Sequence, residues 1–215
     1  MKTPLMPKKV RTSHLAGFKQ SGQKFSCLTS YDQLTANIFD EAGIEVILVG
    51  DSAADNALGY ETTLPISVDE IIPFGRAVAG AVSRGLVVVD MPFGSYELGP
   101  EQALENAIRI MKQTGADAVK LEGGTRSAEQ IKAITTAGIP VMAHVGLTPQ
   151  AVNALGGYGA RGRSAAEAET ILADAVAVAA AGAFAQAGAA SSPSATAQPR
   201  TGRRARAARK GKLMG

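Results

Sequence analysis

The chain has a single cysteine, Cys27, among its 215 residues, which excludes an internal disulfide and a cysteine zinc site. It lacks an apolar run of the roughly 20 residues that a membrane span needs. Its first residues, MKTPLMPKKV, also lack the apolar region of a secretory signal. These absences predict a cytoplasmic protein without a membrane partner, in which Cys27 belongs to the core.

Acidic residues are missing from residues 186–215, which hold seven of the 22 lysines and arginines. The rest of the chain has 15 basic and 19 acidic residues, a net charge of −4, although the whole chain carries +3. A basic nucleic-acid surface on the folded part is therefore not expected. The composition of 186–215 predicts a disordered basic tail. Binding of polyanions by the run RTGRRARAARKGK stays open as an alternative. The lack of aromatic residues within that run argues against it.

Short apolar runs are abundant, and four of them carry polar side chains where they end. They are VILVGDS with Asp51 and Ser52, LVVVDMPFG with Asp90, DAVKLEGG with Lys120 and Glu122, and VMAHVG with His144. Runs rich in Val, Ile and Leu predict buried parallel strands, and the intervening amphipathic segments predict helices. The pattern indicates an α/β fold of βα-barrel type, in which the carboxyl ends of the strands carry the active site.

These side chains suit a divalent metal and a small anionic substrate. Carboxylates are ligands for a hard cation, and a lysine is suited to a carboxylate or enolate oxygen. The Ser52 hydroxyl and the backbone N–H groups beyond Gly50 are expected to bind the substrate's carboxylate. Each residue also has a structural alternative, since strand-end aspartates often cap the next helix. A structural role for His144 stays open.

Other polar residues receive structural predictions. Tyr31, Tyr60 and Tyr96 are expected to be packing or lid residues. Capping boxes are predicted at Ser67 with Glu70 and at Ser127 with Gln130, and a helix is predicted from Pro100 to Gly115.

Seven segments then allow a resemblance to be drawn. In chain order they are LTSYD at 28–32, VGDS at 49–52, TTLPIS at 62–67, DMPFGSY at 90–96, VKLEGG at 119–124, AHVGLTPQ at 143–150 and GGY…GR at 156–163. With them, residues from about 25 to 185 resemble the ketopantoate hydroxymethyltransferase family. The resemblance implies a (β/α)8 TIM barrel that assembles as a decamer and requires Mg²⁺. It also implies transfer of a hydroxymethyl group from 5,10-methylenetetrahydrofolate to the keto acid 3-methyl-2-oxobutanoate, giving 2-dehydropantoate.

The resemblance also implies roles for individual residues. Asp51 and Asp90 would hold the metal, with Glu122 as a third carboxylate. Ser52 and Lys120 would bind the keto acid together with the two aspartates. His144 would be a neighbour of the active site.

The sequence departs from the family after Phe184, where a strand bearing a general-base glutamate is expected. No aspartate or glutamate follows Asp174, so no catalytic base is assigned. The expectation is an N-terminal arm at 1–22, a partial barrel of five to six βα units at 23–185, and an out-of-frame tail at 186–215. A decamer is not expected for this form. Two alternatives stay open, an inactive remnant and a Mg²⁺-dependent lyase or mutase of the phosphoenolpyruvate mutase and isocitrate lyase type.

Overall fold

Six parallel strands form one curled sheet in the computed structural model, which describes residues 8–157, 159 and 161–188. The strands pair in chain order and are β1 Cys27–Thr29, β2 Val46–Val49, β3 Leu86–Asp90, β4 Ala118–Glu122, β5 Val141–His144 and β6 Ala185–Ala187. This half-barrel confirms the predicted incomplete βα barrel. The predicted disorder of the tail falls almost entirely on residues outside the described ones.

Helices alternate with the strands, and most of those that lie between strands cover one face of the sheet. They are α1 Thr12–Ser21, α2 Gln33–Glu41, α3 Ala53–Asn56, α4 Val68–Ala81, α5 Pro100–Thr114, α6 Ala128–Thr136, α7 Val152–Leu155 and α8 Ala165–Ala180. Buried residues of α4, α5 and α6, such as Ile71, Ile110 and Ile131, pack with Ile47 and Leu121 of the sheet. Among the described residues, no helix has both the length and the apolar character of a membrane span.

The opposite, concave face of the sheet has two different ends. Val46, Leu86 and Ala118 lie at the amino ends of their strands and pack against Val10 and against Leu15 of α1. Because side chains alternate with a period of two along a strand, this face continues to Asp90, Lys120, Glu122 and His144 at the carboxyl ends. The chain thus seals one end of the half-barrel with apolar side chains and places charged groups at the other.

Helix boundaries confirm most of the local predictions. Ser67 and Glu70 form the capping box of α4, and α5 starts at Pro100 and is followed by Gly115 in the left-handed region, with a φ of 79°. The second predicted box is wrong. The Ser127 hydroxyl donates instead to the carbonyl of Glu122 at 3.0 Å, and a 3₁₀ turn, Thr125–Ser127, leads into α6.

The prediction that Cys27 lies in the core is also wrong, because its side chain is exposed. Its strand, β1, is at one end of the sheet and, among the described strands, pairs with β2 alone, and all three of its residues are exposed. The helices next to the two end strands likewise expose apolar residues, namely Leu34 and Ile38 on α2 and Leu172 and Val176 on α8. In a closed barrel further strands and helices cover such surfaces.

Candidate active site at the carboxyl ends of the strands

The structure brings together the acidic and basic residues predicted at the ends of four neighbouring strands. Parallel pairing sets Asp90 opposite Lys120 and Glu122 opposite His144, and Asp51 follows β2. Asp51 and Lys120 are 5% and 4% exposed, and Asp90 and Glu122 are 1% exposed. Ser52 and His144 are half-buried. These groups therefore share one buried polar cluster rather than capping separate helices.

An ion pair forms the centre of this cluster. Lys120 Nζ lies 2.5 Å from Asp90 Oδ1, and the backbone N–H of Asp51 donates to Asp90 Oδ2 at 3.2 Å. A Cβ atom at Gly50 would lie 2.8 Å from Ser52 Oγ, so a side chain there would displace the Ser52 hydroxyl. Both Asp90 oxygens thus have partners that favour the carboxylate form.

Negative charge exceeds positive charge around the ion pair. Burial and the neighbouring Asp90 raise the pKa of Asp51 to about 7, against the opposing effect of Lys120. Burial also raises the pKa of Asp90, which Lys120 only partly offsets. Burial disfavours the charged ammonium of Lys120, but Asp90, Glu122 and Asp51 outweigh it and raise its pKa. The raised pKa values of the two aspartates follow from burial first, and an additional cation beside them would lower those pKa values.

Glu122 lies beside this pair and has partners on both carboxylate oxygens. His144 Nδ1 lies 3.0 Å from Oε1, and the backbone N–H of Gln150 donates to Oε2 at 2.9 Å. His144 is thereby placed at the site, as a partner of a predicted ligand. Glu122 as a third metal ligand stays a prediction.

Ser52 faces the side chain of Tyr31, with 2.7 Å between the two hydroxyl oxygens. Fewer of the backbone N–H groups beyond Gly50 are free to bind a substrate than predicted. The N–H groups of Asp51, Ala53 and Ala54 donate to Asp90 Oδ2, to the Gly50 carbonyl and to the Asp51 carbonyl. The hydroxyls of Ser52 and Tyr31 are therefore the better candidates for binding a substrate carboxylate here.

Two residues of the cluster were not predicted as functional, Gln150 and Tyr96. Gln150 Nε2 donates to Asp51 Oδ2 at 2.8 Å, and its Oε1 accepts from the Tyr96 hydroxyl. Tyr96 and Gln150 are 3% and 4% exposed. In the sequence, only their location could have indicated a role, since both residues lie in loops that follow strands with predicted site residues.

A divalent metal fits this cluster through a small number of direct ligands. Among the residues that the structure describes, no three Asp, Glu, His or Cys side chains form a ready-made metal site. Mg²⁺, however, keeps several waters and takes one or two protein carboxylates. Asp51 and Asp90 supply hard oxygen donors, and a bound cation would offset the burial and the Asp90 charge that raise the pKa of Asp51.

A cavity of about 530 Å³ opens beside the cluster. It lies between the loops that follow β4 and β5, and Gly123, Thr148, Arg126 and Asp174 are in its lining. Asp51, Asp90 and Lys120 do not line it. The cavity therefore adjoins the Glu122 side of the cluster.

Comparison with known sequences decides the family. The family model described as ketopantoate hydroxymethyltransferase matches residues 9–188. The chain belongs to the ketopantoate hydroxymethyltransferase family. Membership agrees with the resemblance carried by the seven segments.

Relatives in this family are named 3-methyl-2-oxobutanoate hydroxymethyltransferase. The protein of Leifsonia xyli subsp. xyli is 61% identical over 172 residues, which are 80% of this chain and 62% of the relative. That of Thermobifida fusca is 57% identical over 168 residues, 78% of this chain and 60% of the relative. That of Mycobacterium tuberculosis H37Rv is 60% identical over 171 residues, 80% of this chain and 60% of the relative. The chain thus spans about three fifths of the length of these hydroxymethyltransferases.

Several solved structures have a similar fold at low sequence identity. Phosphonopyruvate hydrolase in complex with oxalate and Mg²⁺ matches with a TM-score of 0.62 and 18% identity, over 85% of this chain and 64% of that one. The 2,3-dimethylmalate lyase, a PEP mutase/isocitrate lyase superfamily member, matches with a TM-score of 0.57 and 16% identity, over 82% and 62%. At this identity the likeness establishes the fold alone, which is of the barrel type.

Proposed function

We propose that this chain carries the metal and keto-acid site of an enzyme that transfers a hydroxymethyl group from 5,10-methylenetetrahydrofolate to 3-methyl-2-oxobutanoate. The products would be 2-dehydropantoate and tetrahydrofolate, with water supplying the hydroxyl oxygen. The observation that carries the proposal is the buried cluster of Asp51, Asp90 and Lys120. It lies at the carboxyl ends of the strands in a chain that is about 60% identical to named hydroxymethyltransferases.

The chemistry requires removal of the C3 proton of the keto acid and stabilisation of the resulting enolate. Lys120 is buried and its pKa is raised, so it remains a cation that can face the enolate oxygen. We assign Asp51 and Asp90 to hold Mg²⁺, which when bound supplies Lewis-acid stabilisation of that oxygen. We assign Ser52, supported by its contact with Tyr31, to the substrate's carboxylate.

Proton removal has no assigned base in this chain. Within the described residues, β6 and the glycine after it supply Ala185, Gln186, Ala187 and Gly188, none of which is an acid or base at neutral pH. The sequence beyond Asp174 contains no aspartate or glutamate. This observation favours a second candidate function, a remnant that binds metal and keto acid without turnover.

Proton exchange separates the candidates. Loss of the C3 proton signal of 3-methyl-2-oxobutanoate in D₂O, followed by NMR, should require both the chain and Mg²⁺ and should stop on addition of EDTA. Asp90→Asn should abolish it. Asp117→Asn is the matched control, because Asp117 pairs with Lys9 at 2.8 Å at the opposite ends of the strands.

Three outcomes decide between the proposals. Metal-dependent exchange with product formation when 5,10-methylenetetrahydrofolate is added supports the transferase. Binding of the keto acid and metal without exchange or product supports the remnant. Exchange that persists in EDTA and in Asp90→Asn contradicts both assignments of the site. The domain limits of 23–185, the cytoplasmic location and the oligomeric state stay predictions.

A further inference from the structure

Gln150 is a buried amide that contacts two of the three carboxylates in the cluster. It lies in a 3₁₀ turn, Pro149–Ala151, after β5. Its side-chain Nε2 donates to Asp51 Oδ2 at 2.8 Å and to the Met91 carbonyl at 3.0 Å. Its backbone N–H donates to Glu122 Oε2 at 2.9 Å. One residue therefore connects the ends of β2, β3 and β4.

The orientation of this amide is fixed by its other partners. The Tyr96 hydroxyl accepts from the backbone N–H of Glu122 at 3.2 Å and donates its own proton to Gln150 Oε1. The Met91 carbonyl can only accept, so it requires the NH₂ end of the amide. Flipping the amide would set oxygen against oxygen at Met91 and at Asp51. The network thus allows one orientation, with the donor facing the aspartate.

A fixed donor constrains the carboxylate that it contacts. Asp51 has a single side-chain hydrogen bond with the described residues, and this bond engages Oδ2. A carboxylate held at one oxygen presents the other in a defined direction, which is what outer-shell partners do for metal ligands. The backbone contact holds Glu122 in the same way, next to His144.

We propose that Gln150 is a positioning residue that orients the Asp51 carboxylate for the divalent cation, with Tyr96 holding the amide in place. The inference rests on the proposed function, which assigns Asp51 to the metal. It adds a role for Gln150 and Tyr96 that acts through another side chain.

Direct metal binding tests the inference on the whole chain. Mn²⁺ serves as the probe, because its free form gives an EPR signal that decreases on binding. Gln150→Met keeps the volume and removes the amide, and it should weaken Mn²⁺ binding by roughly 10–100-fold, the usual effect of losing an outer-shell partner. Tyr96→Phe keeps Gln150 but releases it, and it should weaken binding less. The double variant should lose less than the product of the two single effects.

The control is Gln130→Met. Gln130 Nε2 donates to the Tyr96 carbonyl at 3.4 Å but contacts none of the carboxylates in the cluster. It should leave Mn²⁺ affinity within about twofold, as expected for a surface-side substitution away from the ligands. Thermal melts of all variants show which of them fold. If Gln150→Met does not fold, the Mn²⁺ affinity of Tyr96→Phe decides. Weaker binding than wild type supports the inference, and binding like wild type refutes it.

Failure of the inference and failure of the proposed function give different results. If wild type binds Mn²⁺, Asp51→Asn does not, and Gln150→Met and Tyr96→Phe bind like wild type, the role of Gln150 is refuted while the metal site stands. If folded wild type binds no Mn²⁺, the metal assignment is wrong and the inference is overturned with it.

Discussion

Two lysine–aspartate pairs lie on the same parallel sheet, one at each end of the strands. Lys120 and Asp90 are 2.5 Å apart, with side chains 6% and 2% exposed. Lys9 and Asp117 are 2.8 Å apart, with side chains 31% and 29% exposed. The half-buried pair also binds backbone, since Lys9 donates to the Gly85 carbonyl and Asp117 accepts from the N–H of Val87.

The difference in burial assigns the two pairs different roles. An ion pair taken out of water loses hydration that its mutual attraction does not fully replace, so a buried pair is poor evidence for stability. The pair at the amino ends instead connects the segment before α1 to β3 and β4. We interpret the buried pair as part of the reaction site and the half-buried pair as structural. Four predictions test this difference between the two ends of the strands.

The largest effect is expected for Lys120→Met. It leaves the Asp90 carboxylate buried without its cation, which should cost about 3–5 kcal/mol of unfolding free energy and abolish proton exchange. Replacing both partners, as in Asp90→Leu with Lys120→Met, should recover most of the stability but none of the exchange. Urea unfolding at neutral pH measures the first quantity. Equal destabilisation by the single and double variants would contradict the comparison.

The next effect concerns pH. The folded-state pKa of Asp51 is raised from 3.8 to about 7, so the folded state holds this proton more tightly than the unfolded state does. Stability should therefore fall as the pH rises from about 4 to 7, by at most about 4 kcal/mol from this group. Asp51→Asn should lose less over that window in metal-free buffer. Asp55→Asn, an exposed aspartate on α3, should follow the wild type, and urea midpoints at pH 4.5 and 7.5 make the comparison.

A smaller effect is expected for Val10→Ala at the sealed end of the half-barrel. Val10 is fully buried against the amino ends of the strands, and losing two methyl groups should cost about 2 kcal/mol. Because the site lies at the other ends of the strands, metal binding should be unchanged in the folded variant. A parallel loss of metal affinity, measured by Mn²⁺ titration at low temperature, would show that the two ends are coupled.

The smallest effect is expected for Lys9→Met. A pair that is about a third exposed contributes roughly 0–1 kcal/mol, and the Val87 N–H keeps its bond to Asp117. Urea unfolding should show a change within that range, several times smaller than for Lys120→Met. A loss comparable to that of Lys120→Met would mean that burial does not distinguish the two pairs.

The position of a site residue could be predicted where it depends on the alternation of side chains along a strand. Asp90, Lys120, Glu122 and His144 end apolar runs, and period two places them on one face of neighbouring strands. Gln150 was not predictable in this way because it lies in a turn beyond the last strand residue, where no period applies. Its partner Asp51 is 99 residues away in the chain.

Exposure at the edge of the sheet and competition between hydrogen-bond acceptors also could not be predicted from sequence patterns. Cys27 lies in an apolar run, but its exposure depends on whether another strand pairs with β1, which is not a local property. Ser127 has the spacing of a capping box with Gln130, yet its hydroxyl finds the nearer carbonyl of Glu122. In both cases the tertiary surroundings override a local preference.

The order of the strands has a consequence for how the chain can fold as it leaves the ribosome. Each strand pairs with the one that precedes it, so every new βα unit can dock on the sheet already present. The segment before α1 is the exception, since Lys9 and Asp117 are separated by 108 residues. Closing so long a loop must wait until β4 begins. The segment before α1 therefore gains its contacts with Gly85 and Asp117 only after β1 and β2 have been synthesised.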